Sequence, residues 1–205
     1  YKRQARWVGN REWAGLTPIF LSQLSHFDSD IDRVTGQRLY NEFGLTKPMN
    51  WTAGFLRPTI KYRSINYELD RPFTEIENSL NAGSLMASLD GGLIFERQTS
   101  LFGQSMIQTL EPRAYYLYSQ YKDQVFQPDF DTAELTFSYG QLFRDTRFSG
   151  NDRLDDANQL SVGVTSRYFD NETGEEKLSV SLGQIYYFRD REVRLNAFDP
   201  ELVEN

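Results

Sequence analysis

Cysteine is absent from the 205 residues, and histidine occurs once, as His26. The lack of cysteine excludes a disulfide framework, a thiolate zinc site and a cysteine nucleophile within these residues. A single imidazole also excludes metal sites that need two or three histidines. Uninterrupted apolar runs are only a few residues long, as in 185–188. Because a membrane-spanning helix needs ~18 to 20 apolar residues, the sequence predicts no such helix.

Charge and hydropathy restrict the class of protein further. The chain has 29 Asp and Glu residues against 22 Lys and Arg, a formal net charge of −7. This balance offers no extended basic surface for wrapping nucleic acid. Aromatic residues nevertheless make up 15% of a chain whose mean hydropathy is −0.59. A hydrophilic chain with this many rings must segregate them onto particular faces.

Alternation of apolar and polar residues is the main structural signal. In residues 177–189, Leu178, Val180 and Leu182 are separated by small polar residues, a period of two that indicates a strand. The pattern predicts an all-β fold, an antiparallel meander of seven or eight strands. Clear strands are predicted at 53–69, 85–97, 106–118, 158–170 and 177–189, weaker ones at 16–27 and 38–47, and residues 1–13 are too irregular to assign.

The predicted strand at 53–69 has an irregular pattern. Its apolar positions change parity between Tyr62 and Ile65. One extra residue in a strand swaps its faces, so we expect a β-bulge near Ser64.

The connections between the predicted strands alternate in length. Short ones fall at 48–51, 98–105 and 171–176, and longer ones at 29–37, 70–82, 122–156 and from residue 190 onward. Short turns at one rim and long loops at the other are typical of outer-membrane β-barrels. A soluble up-and-down barrel is also a meander, but its apolar positions face inward. We expect residues 1–205 to form part of one barrel domain, with 122–156 as an extracellular loop and no second domain.

The two faces of these strands differ in chemistry. The polar parity includes Lys61 and Arg63 and predicts a hydrated lumen, whose proposed lining is Asp90, Glu96, Glu111, Arg113, Gln159 and Arg167. The apolar parity places Tyr and Phe near strand ends, as in the aromatic girdles at a lipid interface. Its predicted lipid-facing members are Leu110, Tyr116, Tyr118, Leu160, Val162, Val164, Leu178, Val180, Leu182, Tyr186 and Phe188. Strands of soluble sandwiches also collect Tyr and Phe, so alternation alone leaves both environments open.

The number of strands is small for a hydrated lumen. Seven or eight strands close only a narrow barrel whose interior is filled by side chains. We therefore expect the chain to be a slice of a larger barrel.

Several motifs of the second half resemble one known family. They are LEPR (110–113) before an aromatic strand, FRD (143–145) and FSGNDR (148–153) in the long connection, ANQL (157–160) and GQIYYF (183–188). Together they resemble the central barrel region of the LptD family of lipopolysaccharide (LPS) assembly proteins. The resemblance is strong over 85–193, rests on strand order over 18–69, and adds little over 1–15.

The resemblance implies a very large barrel in the Gram-negative outer membrane, preceded by a periplasmic jellyroll and plugged by the lipoprotein LptE. Such a complex receives LPS from a periplasmic Lpt bridge and assembles it in the outer leaflet. It implies transport rather than enzymatic activity, with no cofactor and no metal. We expect the family's seam strands and disulfide cysteines to lie outside these residues, so their roles are carried over to no residue here.

The connection 122–156 is too long to be structureless by default. Its six Phe and Tyr residues predict that it folds back, either partly into the lumen to cap the barrel or touch the plug protein, or only onto itself. Its charges at 144–156 are expected to form an ion-pair network. On the preceding strand, Glu111 and Arg113 are expected to pair with each other or with neighbouring strands.

Two other patterns point to different functions. Asp28, Asp30 and Asp32 imitate the start of a calcium loop, but its sixth position is Arg33 and its twelfth is Leu39, so we predict no calcium hand. His26 supplies the base that an outer-membrane hydrolase would need. A hydrolase and a small β-barrel binding module therefore remain as alternatives to LPS assembly.

Overall fold

The computed structural model describes residues 2–9, 15–29, 34–70, 77–101 and 103–195. Residues 30–33, with most of the calcium-like motif, and 10–14 lie outside these ranges. The described residues form one antiparallel sheet of ten strands. The strands are β1 Lys2–Gly9, β2 Thr17–Phe27, β3 Thr35–Thr46, β4 Met49–Trp51, β5 Gly54–Asp70, β6 Ser79–Leu93, β7 Phe95–Leu101, β8 Gln104–Ser119, β9 Ala157–Asp170 and β10 Glu176–Tyr187.

The sheet is a meander in the order β1-β2-β3-β5-β6-β8-β9-β10, with β4 paired to β5 and β7 paired to β8. The two short strands prolong their predecessors. The pairs Thr46 with Thr59 and Met49 with Leu56 keep one register, and the break between them contains Pro48, which has no backbone N–H. The sheet thus contains eight long strands, in agreement with the predicted seven or eight. It is not closed within the described residues.

The predicted all-β meander and its alternation of loop lengths are confirmed. Some boundaries differ from the prediction: the turn after β4 falls between Trp51 and Gly54 rather than at 48–51. The strand predicted at 85–97 continues through β7 to a turn that contains Gly103. The unassigned N-terminal segment supplies β1, an edge strand on β2.

The predicted bulge near Ser64 is wrong. Ser64 pairs with Asn41 on one side and Gly83 on the other, in ladders that run without a register shift along β5. The apolar residues change parity because the environment of each face changes along the strand. Ile65, Tyr67 and Leu69 share the face of Lys61 and Arg63, but at that end of the strand this face is covered by the connection 120–156.

We call the face covered by residues 120–156 the inner face and the opposite one the outer face. The outer face carries a belt of exposed apolar side chains whose position shifts from strand to strand. On β2 and β3 it centres on the paired Phe20 and Phe43, a row that continues to Leu85 on β6. On β9 it centres near Val162, whose row meets β6 at Gly91.

Among the described residues, helical structure is limited to a 3₁₀ turn at Tyr139–Phe143. Over the described ranges, none of the helices has the length and apolarity needed to cross a membrane.

Candidate functional site

The connection 120–156, here called the inserted loop, packs against the inner face at the end of the sheet where the long connections lie. Phe130 stacks on Phe27 of β2, with ring centroids 4.1 Å apart. Leu154 is buried in a cluster with residues of β3, β5 and β6, namely Tyr40, Ile65, Tyr67, Leu69 and Ala82. These contacts show that the segment packs on the sheet and not only onto itself, whereas its insertion into a lumen, as a cap or against a plug protein, stays a prediction.

Asp152 is the central polar contact between the loop and the sheet. Its fully buried carboxylate accepts a hydrogen bond from the Tyr67 hydroxyl at 2.8 Å and an ion-paired one from Arg38. Backbone N–H groups of Phe130 and Asp131 donate to its other oxygen at 2.9 and 2.8 Å. Four donors compensate the burial of this charge, so the loop and the strands β3 and β5 are held in one arrangement.

Arg38 is fully buried and contacts a second loop carboxylate. Its Nη1 lies 2.6 Å from Asp131 Oδ1, and Lys2 of β1 also pairs with Asp131. Burial raises the pKa of the Asp131 carboxyl, but hydrogen bonds from Arg38 and Lys2 outweigh it and lower that pKa to about 2. Asp131 therefore stays ionised across the physiological pH range.

Lys61 forms a further link between the sheet and the inserted loop. Its ammonium lies 3.0 Å from Glu42 on β3 and 2.8 Å from Asp145 on the loop. Burial raises the pKa of Asp145, but the charges of Lys61 and Arg63 hold it below its usual value. The ammonium thus donates to one carboxylate of the sheet and to one of the loop.

Two buried aspartates close the C-terminal end of the loop. Asp156 accepts hydrogen bonds from the backbone N–H groups of Glu192 and Val193. Asp155 accepts one from the backbone N–H of Arg147 at 2.8 Å and faces the guanidinium of Arg191 at 3.7 Å. Burial raises the pKa of Asp155, because the charges of Arg147 and Arg191 only partly compensate for the loss of water. The chain that follows β10 is thereby fixed to the start of β9.

The 3₁₀ turn lies in a depression made by two paired glycines, Gly163 of β9 and Gly183 of β10. A Cβ on Gly183 would come within 2.4 Å of Leu142 Cδ1, and one on Gly163 within 2.8 Å of the Tyr139 hydroxyl. The absence of side chains on these two residues gives the turn its place against the sheet.

The inner face also carries ion pairs, which lie between the 3₁₀ turn and the end of the sheet where the short connections are. Arg113 donates two hydrogen bonds to Asp90, both at 2.8 Å, and its guanidinium lies 4.1 Å from the ring centroid of Phe143. Arg57 reaches the same carboxylate only at 3.9 Å. One row further, Arg167 lies 3.2 Å from Glu111 and 2.8 Å from Glu176. These charges form a polar layer that crosses β5, β6, β8, β9 and β10.

The structure separates the two predicted sets of residues by face. Asp90, Glu111, Arg113, Gln159 and Arg167 share the inner face, and Glu96 pairs with Thr109 on that side. Gln159 is buried at 1% exposure rather than facing open space. The predicted lipid-facing residues lie on the outer face and most are exposed, from 38% for Tyr116 to 70% for Leu182. Their contact with lipid or with lumen water stays a prediction.

The sequence pattern identifies only some of the residues that form ion pairs and hydrogen bonds on the inner face. Glu111 and Arg113 do not pair with each other; each pairs with a residue of a neighbouring strand. The buried Arg38 and Tyr67 were not singled out, although a polar residue on an otherwise apolar strand face is a usable signal. The loop charges at 144–156 do form ion pairs, as expected.

The alternative chemistries find little support in the geometry. His26 points to the outer face, like Leu24, whereas its neighbour Ser25 is fully buried on the inner face. Consecutive strand residues face opposite sides, so these two cannot form a catalytic dyad. In the part of the chain that the structure covers, no three His, Asp or Glu side chains are grouped to hold a metal ion.

Comparison with known proteins agrees with this architecture. A family profile described as "LptD: LPS transport system D" matches residues 2–203. The LPS-assembly protein LptD of Xanthomonas euvesicatoria is 50% identical over 167 residues, covering 79% of this chain, and that of Pseudomonas aeruginosa is 45% identical over 194 residues, covering 90%. The chain spans only 21% and 20% of these curated relatives. On the extent of the profile match and these identities, the chain belongs to the LptD family.

Proposed function

We propose that this chain forms part of the wall of a Gram-negative outer-membrane β-barrel that assembles LPS in the outer leaflet. One observation carries the proposal: a chain of the LptD family folds into a continuous sheet with a charged inner face and an apolar outer face. In a bilayer, backbone polar groups are satisfied only by pairing between strands, so a continuous sheet is the required form of such a wall.

In this proposal the outer-face belt contacts lipid and the inner face lines a hydrated lumen. Exposed apolar side chains such as Leu182 and Val180 then lie in hydrocarbon rather than in water. The mixed charges around Asp90, Glu111 and Arg167 keep the lumen wet without one dominant sign, which suits the passage of phosphorylated sugars. Arg113 pairs with Asp90 within this layer, and Glu96 extends it toward the short-turn end.

The long connections, including 122–156, are placed at the extracellular end. The inserted loop then caps the lumen from outside. The lipoprotein LptE is the proposed plug of the same barrel, and the periplasmic Lpt bridge is proposed to deliver LPS through a domain outside these residues. We assign no catalytic role to the chain.

Single cysteines test this orientation, because these residues contain none of their own. Phe137, 69% exposed on the inserted loop, is replaced by Cys, and Glu172 in the β9–β10 turn serves as the matched position at the opposite end. In intact cells that express the full-length protein, a membrane-impermeant maleimide should label Phe137→Cys and not Glu172→Cys. Labelling of Glu172→Cys but not of Phe137→Cys would show that the chain has the opposite orientation in the membrane.

The function itself is tested by depletion. Cells that lose the full-length protein should retain LPS inside and lose it from the surface, measured with an LPS-binding probe on intact cells. Normal surface LPS after depletion would reject the proposal. Recovery of the protein in the soluble fraction without detergent would instead support the small binding module.

A further inference from the structure

A cleft of about 340 Å³ lies on the inner face between the tip of the inserted loop and the ion-pair layer. Its floor includes the apolar side chains of Ile19, Met86 and Phe143, and hydroxyl groups of Thr46, Thr59 and Ser88 line its side. The volume is within the range of small-molecule sites.

The cleft carries more positive than negative charge. Its lining contains four cationic and two acidic side chains, which are Arg57, Lys61, Arg113 and Arg144 against Asp90 and Asp145. Both carboxylates are already engaged, Asp90 by the two hydrogen bonds from Arg113 and Asp145 by the ammonium of Lys61. A net positive charge therefore remains for a ligand.

Two guanidinium groups supply that remaining charge. The contact of Arg57 with Asp90, at 3.9 Å, is too long for a hydrogen bond, and its side chain is half exposed. Arg144 is exposed at the tip of the loop, and no carboxylate of a described residue lies within ion-pair distance of it. Both can turn their N–H donors into the cleft without breaking an existing hydrogen bond.

Arg113 has a different part in the arrangement. Asp90, only 6% exposed, fixes one edge of its guanidinium, and the ring of Phe143 covers one face. The remaining N–H donors keep a fixed direction. Planar forks of this kind match the oxygens of a phosphate group, whereas the ammonium of Lys61 is a point charge that already donates to two carboxylates.

We propose that this cleft binds the phosphate group of a phosphorylated sugar, with Arg57 and Arg144 as its mobile donors and Arg113 as its fixed one. Resting on the proposed function, we infer that the phosphate belongs to the sugar region of LPS on its way through the lumen. Asp90 is a positioning residue that acts through Arg113.

The test uses the full-length protein in detergent and measures binding of glucose 6-phosphate by phosphorus NMR titration. The wild-type protein should bind this probe, and an excess of glucose should not displace it. The double variant R57A/R144A should bind it at least tenfold more weakly. The double variant R97A/K177A removes the same charge at exposed positions outside the cleft and should bind like wild type.

Heat-modifiable mobility on gels shows whether both variants are folded. If folded R57A/R144A binds the probe as tightly as wild type, the proposed site is wrong. Competition separates the two sources of the phosphate group. Intact LPS should displace the probe and dephosphorylated LPS should not. Displacement by inorganic phosphate but not by LPS would overturn the link to LPS, while the depletion experiment would still decide the proposed function independently.

Discussion

Asp152 illustrates how a single carboxylate can hold a long loop inside a sheet. Its charge is removed from water, a change that costs several kcal/mol unless donors replace the lost solvent. The donors come from the loop backbone and from two strands, through Arg38 and Tyr67. The ion pair is therefore less a source of net stability than a requirement for one particular arrangement.

Replacing Asp152 with Ala should destabilise the folded protein by about 3–5 kcal/mol, because Arg38 is left as a buried charge with only Asp131 as its partner. Denaturant unfolding of the full-length protein in detergent, followed by tryptophan fluorescence, measures this change. Glu172→Ala, in the exposed β9–β10 turn, should shift the free energy of unfolding by less than ~0.5 kcal/mol. Equal effects of the two substitutions would contradict the role given to Asp152.

Asp131 gives a dependence on pH with a defined sign. Its pKa in the folded protein, about 2, lies below the usual value of 3.8, so ionised Asp131 stabilises the loop above pH ~4. This contribution should disappear as the pH falls from about 4 to about 2. Pepsin, which is active in that range, should then cleave the inserted loop faster as the pH falls.

The variant Asp131→Asn is the control for this titration. It cannot ionise, so the part of the pH dependence that belongs to Asp131 should be missing. An unchanged pH profile of cleavage in Asp131→Asn would assign the effect to other carboxylates.

At the scale of strands, alternation predicted most of the sheet because each long strand has two environments. It failed on β5, where the outer face loses its apolar residues beyond Tyr62 and the inner face gains them from Ile65 onward. The local pattern resembles that of a bulge. The change of parity is instead caused by the inserted loop, whose Asp152 contacts Tyr67 from 85 residues later in the chain and is not evident from the strand's own sequence. The partners of Glu111 and Arg113 were unpredictable for the same reason, since register between strands sets them.

The glycine depression on β9 and β10 allows a test of the loop as an element. Gly183→Val should push Leu142 and the 3₁₀ turn away from the sheet, at a cost of about 1–3 kcal/mol. Limited proteolysis of the full-length protein should show faster cleavage near residues 139–145. Ser179→Val, on the same face of β10 but in an exposed position, should leave cleavage unchanged. Similar cleavage in both variants would show that the two glycines do not position the 3₁₀ turn on the sheet.

For the molecule as a whole, the assignment of the faces is the most consequential proposal. Leu182 on the outer face and Ser179 on the inner face belong to the same strand. Leu182→Arg should reduce insertion of the full-length protein into lipid vesicles by about 2–4 kcal/mol, because a cation at mid-bilayer is costly. Ser179→Arg should insert like wild type. A larger loss of insertion for Ser179→Arg than for Leu182→Arg would mean that the inner face contacts lipid and the outer face lines the lumen.

If the outer face contacts lipid as proposed, the shift of the apolar belt across the sheet predicts how far the strands are inclined in the bilayer. From β2 to β9 the belt moves from the row of Leu85 to that of Gly91, about 20 Å along the strands over about 24 Å of sheet width. A belt level with the bilayer then requires strands inclined by about 40°, which cross a 25 Å band in about ten residues. The 17 residues of β5 exceed that length. In the proposed membrane orientation, its polar outer residues Asn66 and Glu68 are therefore expected outside the hydrocarbon, at the end of the strand where the inserted loop covers the inner face.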